Sequence, residues 1–142
     1  MMQHSPNPEG VDSTHRPPRT PRHDGSEDTA IRTFAIEAAR LCSDRHAEDV
    51  RLLDVRGLSS LTDYIIIASG TSDRQLEAIA RELDDLAREA GMSRVGRDGD
   101  GQVRWVVRDY LDIVIHLFEP EMRAFYDIEM MWGDGEPVSW QR

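Results

Sequence analysis

The stretch Trp105-Val106-Val107-Arg108-Asp109-Tyr110-Leu111-Asp112-Ile113-Val114-Ile115-His116-Leu117-Phe118, followed at once by Glu119-Pro120-Glu121-Met122-Arg123-Ala124-Phe125-Tyr126-Asp127, decides the fold. Branched and aromatic side chains crowd both ends of the first part, as they do in strands, and the acids between them read as a polar break. Strands are predicted over 103–108 and 112–118. Pro120 has its φ preset for the first turn of a helix, so a third helix begins directly after the second of these strands.

Working outward, Gly96-Arg97-Asp98-Gly99-Asp100-Gly101 reads as a flexible loop. Before it, Ser72 and Gln75 have capping-box spacing. Leu76, Ile79, Ala80, Leu83, Leu86, Ala87 and Ala90 then form the apolar stripe of a second helix, closed by Gly91. Val50–Val55 and Asp63–Ala68 are short apolar runs separated by Gly57 and Ser59-Ser60, which predicts two strands across a turn. Tyr64-Ile65-Ile66-Ile67 is apolar throughout, so its strand is expected at the centre of the sheet. Ile31, Phe34, Ala35, Ala38, Leu41 and Cys42 recur at helical steps and predict a first helix over 27–45. The expected architecture is an α/β or α+β single domain over 27–135, with a mixed sheet of about five strands and three helices. Residues 136–142 are set apart as a tail, and residues 1–26 as a disordered Pro/Arg/His-rich extension that lacks the apolar side chains of a core. The acids Glu9, Asp12 and Asp24 in that extension fit poorly with an organellar transit peptide.

The chain has 142 residues, room for one domain with a core of its own. Its 27 acidic residues outweigh 17 basic ones, for a net charge of -10. That balance repels phosphate backbones and favours basic protein surfaces, so direct nucleic-acid readout is not expected. All 17 basic residues are arginine, which removes Schiff-base chemistry and the lysine of a phosphate-binding loop. Cys42, the single cysteine, can form no internal disulfide and fits a reducing compartment. No apolar run approaches the ~20 residues of a membrane span, and a soluble, cytoplasmic protein is expected.

Candidate chemistry is sparse. The element order is similar to that of nucleotidyltransferases, in which a Gly-Ser turn precedes a strand bearing two metal-binding acids, and Asp109 with Asp112 is the nearest pair. Residues three apart on a continuous strand point to opposite faces, so such a strand would not assemble a metal site. If Tyr110-Leu111 is a hairpin tip, the two acids flank it and either stabilise the turn or face each other. Gly70-Thr71-Ser72-Asp73 reads as a helix cap or as a backbone cradle for phosphate. His116 has no second ligand at metal spacing, which leaves a core histidine or an interface residue. No Gly-x-Ser-x-Gly elbow is present. No cofactor and no metal are expected.

Together with Asp54-Val-Arg-Gly57-Leu-Ser-Ser60-Leu-Thr-Asp63-Tyr64 and Ser69-Gly70-Thr71-Ser72-Asp73, the Trp105–Asp127 stretch resembles the Iojap-type ribosomal silencing factors over about residues 30–135. The resemblance implies a nucleotidyltransferase-like fold without a catalytic site and a non-enzymatic translation repressor. Its partner would be the large ribosomal subunit, bound through the fourteenth large-subunit protein on the face where the small subunit docks. By the same resemblance the partner-facing residues are Trp105, Asp109, Tyr110 and Asp112; Leu111, at the turn between them, and His116, in its interface reading, complete the candidate set. Many members of that family have glycine where this chain has Leu111, and a tight hairpin demands a positive φ there. Most aromatic residues of the third helix are expected to pack on the sheet. A second copy of the chain is the other partner to consider.

Overall fold

A computed structural model describes residues 25–92, 96–98 and 105–142. The first helix, α1 (Gly25–Asp44), buries Ile31, Phe34, Ala35, Ala38 and Cys42 along one stripe. Burial pushes the Cys42 thiol up to about 12, so it behaves as a small core hydrophobe. Two strands follow, β1 (Glu48–Asp54) and β2 (Tyr64–Ser69), and every residue of β2 is buried. Next come α2 (Asp73–Glu89), β3 (Gly96–Asp98), β4 (Trp105–Asp109) and β5 (Ile113–Phe118). The chain closes with α3 (Pro120–Tyr126), the single turn α4 (Ile128–Met131) and β6 (Glu136–Pro137).

The strands form one sheet in the order β3-β4-β5-β2-β1-β6. The central pair, β2 and β5, runs parallel, and the other neighbours are antiparallel. A parallel pair needs a long crossover, which α2, β3 and β4 supply. The domain is therefore α+β with a mixed sheet, as expected, and β2 lies at its middle.

Alternation along the strands divides the core in two. On one face Leu52, Ile66, Ile113, Ile115 and Leu117 pack under α1 and α2. On the other, Leu53, Ile65, Ile67, Val114 and Phe118 meet Ile128 and Trp132. The helices on this second side have only seven and four residues, and they leave Trp105 and Val107 of β4 half-buried.

Turn and cap chemistry explains how α2 begins. Ser72 Oγ accepts from the Gln75 amide at 3.1 Å, while Gln75 Oε1 accepts from the Thr71 amide at 2.7 Å. These backbone donors are spent on the cap, the helix-start reading of Gly70–Asp73. A Cβ on Gly70 would lie 2.6 Å from Leu76 Cδ2, so glycine lets β2 turn closely into the helix.

Three expectations are corrected. Residues 96–98, read as part of a flexible loop, form the edge strand β3, because ladder pairing uses backbone groups and needs no apolar pattern. Residues 136–142 are not a loose tail: Pro137 pairs with Leu53, the Val138 amide donates to Leu52 O at 2.9 Å, and Arg40 Nε donates to Trp140 O at 2.6 Å. The helix expected from residue 27 starts at Gly25. The disordered reading of the extension falls, for residues 1–24, outside the described residues. No described helix is long and apolar enough to cross a membrane.

Candidate partner-docking surface

Trp105 opens β4 directly opposite Phe118 of β5, and the two rings stack at 4.9 Å with 20° between their planes. Tyr126 of α3 closes on the indole from the side at 4.7 Å. His116, opposite Val107 and so diagonal to Trp105, lies with its ring 5.9 Å from the indole. Its Nδ1 accepts a hydrogen bond from Trp105 Nε1 at 3.2 Å. The imidazole is fully buried, and desolvation lowers its pKa to about 4, so it stays neutral.

The aromatic surface continues outward. Phe125 meets Tyr126 edge to face at 5.0 Å and is 78% exposed. Successive helical side chains point about 100° apart, so with Tyr126 turned onto Trp105 its neighbour must face solvent. Met130, 77% exposed, and Met131 add apolar area on the next turn. Most aromatics of this segment pack on the sheet, as expected: Tyr126 and Trp132 do, and Phe125 is the exception. The acids Glu121, Asp127 and Asp134 are exposed along the same segment.

A buried arginine holds this segment in place. Arg123 donates to Ser69 Oγ at 2.8 Å and, across the α3–α4 joint, to both carboxylate oxygens of Glu129 at 2.9 and 3.1 Å. Its hydrogen bonds keep the Glu129 carboxyl below the usual range. The joint is Asp127, in the left-handed region at φ 49°, whose amide caps Arg123 O at 2.9 Å. The clamp therefore fixes the angle at which Phe125 and the methionines are presented.

The hairpin tip is Leu111-Asp112. Tyr110 N donates to Ile113 O at 2.9 Å, and Leu111 takes the positive φ, 75°. Asp109 Oδ1 accepts from the Leu111 amide at 2.9 Å, an Asx turn that stabilises the tip. The Asp112 carbonyl accepts from the amides of Asp63 and Tyr64, tying the tip to the start of β2. Asp109 thus builds the turn with its carboxylate, while Asp112 anchors the tip through its backbone.

Of the residues expected at the partner face, the structure brings Trp105 and His116 together, with Leu111 and Asp112 half-buried at the tip. Asp109 is buried. Tyr110 is corrected outright: it is 2% exposed, edge-on to Phe34 at 5.7 Å, and its hydroxyl donates to Asp84 Oδ1 at 2.6 Å on the opposite face of the sheet. It lies five positions after Trp105, an odd step along extended chain that reverses the face.

Residues 27–142 match the family described as ribosomal silencing factor during starvation. The ribosomal silencing factor of Bacillus subtilis (strain 168) is 43% identical over 97 residues, 68% of this chain and 82% of that protein. The chloroplastic Iojap protein of Zea mays is 33% identical over 138 residues, 97% of this chain and 58% of the maize protein. A crystal structure of a Chromobacterium violaceum protein, 37% identical, superposes with a TM-score of 0.66 over 80% of this chain and 92% of that one. With a family match that spans nearly all of its described residues and solved relatives that share its fold, the chain belongs to the ribosomal silencing factor family of bacteria and chloroplasts.

Proposed function

We propose that this protein represses translation by binding the large ribosomal subunit through the fourteenth large-subunit protein and excluding the small subunit sterically. The observation that carries the reading is the continuous apolar strip from Trp105 through Tyr126 to the exposed Phe125, bordered by acids in a chain of net charge -10. Large, stiff aromatic side chains give contact area at low entropic cost, and an acidic border suits a basic protein surface. An interface of the usual ~1,600 Å² would suffice, since blocking follows occupancy and needs no turnover.

Cosedimentation with separated ribosomal subunits tests this, followed by light scattering of subunit joining with and without the protein. The expected result is binding to the large subunit alone and slower joining. Pelleting with neither subunit, or with the small one, overturns the reading.

A further inference from the structure

We propose that His116 is a positioning residue for docking: a buried acceptor that fixes the rotation of the Trp105 indole offered to the partner. The proposal rests on the docking role given to the Trp105 face. An indole nitrogen can only donate, so His116 Nδ1 must be the bare nitrogen of the ring, and the proton of the neutral imidazole sits on Nε2. That Nε2 is buried and finds no hydrogen-bond partner among the described residues.

This arrangement is a poor choice for stability. An unmet buried N–H is costly, and the acceptor that entails it serves an indole that is itself only half-buried. A leucine at this site on β5 would continue the apolar run and leave nothing unsatisfied. What histidine adds is an angular constraint. Stacking on Phe118 and contact with Tyr126 confine the indole plane but allow it to turn within that plane. The Nε1–H bond to a side chain diagonal on the next strand removes that freedom. A pre-set aromatic anchor then gives up less conformational freedom on docking. Burial keeps the imidazole unprotonated at neutral pH, so the acceptor is always present.

Three measurements on the full chain test the assignment: thermal unfolding, the indole N–H signals of protein labelled at tryptophan, and a pelleting titration with large subunits. The Trp105 signal is identified with Trp105→Phe. In His116→Leu, thermal stability is expected to equal or exceed that of the unaltered chain, while the Trp105 N–H signal moves and exchanges faster with solvent. Affinity should fall about five- to tenfold, the worth of one hydrogen bond. In His116→Asn, whose side-chain oxygen stands near the place of Nδ1, the signal and the affinity are expected to be recovered to within about threefold.

An unmoved Trp105 signal in the leucine variant, or a moved signal with unaltered affinity, overturns the proposal. Should the leucine variant not fold, an asparagine variant that keeps the indole signal yet binds about tenfold more weakly overturns it equally. If the unaltered chain itself fails to pellet with large subunits, the docking reading fails. That case is recognisable because the variants still differ from the parent in the indole signal while neither parent nor variant pellets.

Discussion

An imidazole enclosed by aromatic rings ionises only by bringing a charge into an apolar site, which is why the pKa of His116 falls to about 4. In the unfolded chain the same ring titrates near its ordinary value of 6.5. As pH drops from 6.5 towards 4, the unfolded state takes up a proton that the folded state refuses, so stability falls; above 6.5 both states are neutral and the contribution is flat. Over the whole window the loss is about 3 kcal/mol. Denaturant unfolding at pH 7 and at pH 4.5 should show the parent losing about 2 to 3 kcal/mol more than His116→Leu. Equal losses would take His116 out of the acid response. Phe125 makes the complementary residue-scale prediction, because its ring is 78% exposed and supports little of the fold. Phe125→Ala is expected to change stability by less than about 0.5 kcal/mol and to weaken large-subunit binding by about 2 kcal/mol. Unaltered binding would move the docking strip away from α3.

The elements are joined by a polar lock that the aromatic strip does not touch. Arg108 and Tyr110 lie two apart on the chain leaving β4, so both face α2, where Asp84 receives them: Arg108 Nε at 3.1 and 3.2 Å and the Tyr110 hydroxyl at 2.6 Å. Arg108 is buried, so removing the Asp84 carboxylate takes from a charge held away from water its ion pair with α2. Asp84→Ala is expected to cost about 3 kcal/mol or more in urea unfolding, and the double variant Asp84→Ala/Arg108→Leu less than the sum of the single losses. Strict additivity would mean that the pair is not coupled. The lock also marks how far the elements were legible beforehand. Helix α2 was readable because its stripe and its Ser72 cap are local signals, and β2 because four consecutive large apolar residues fit only a strand buried on both faces. Edge strands β3 and β6 were not, since Gly-Arg-Asp and a Glu-Pro pair carry no periodicity and owe their pairing to the neighbouring strand. The site was half legible. Trp105 came from the family resemblance, His116 was open between core and interface, and the positive φ at Leu111 was expected from the glycine that many family members have there. Tyr110 was assigned by its aromatic character beside a turn, whereas the parity of its position along the strand decides its face. Phe125 was missed because helical aromatics usually pack inward, yet two adjacent ones cannot both do so.

At the scale of the whole molecule, a net charge of -10 must act in two directions on a ribosome. On the proposed reading a basic ribosomal protein would attract this chain, and the surrounding RNA phosphates would repel it. Apolar contacts are short-ranged and indifferent to salt, so in the proposed complex the aromatic strip would govern how long it lasts, while the charges would govern how fast it forms. Against the isolated fourteenth large-subunit protein, raising salt from about 0.05 to about 0.3 M is expected to slow association about tenfold, because screening removes only attraction. Against the intact large subunit the fall should be shallower, because the same screening also relieves repulsion from RNA. Dissociation should change by less than about threefold in both cases, as apolar contacts set it. Stopped-flow or surface-capture kinetics at several salt concentrations read all four rates. A steeper salt dependence with the intact subunit would reverse the argument: arginines of this chain would then be pairing with RNA phosphates, and the acidic surplus would not be what directs the protein to its partner.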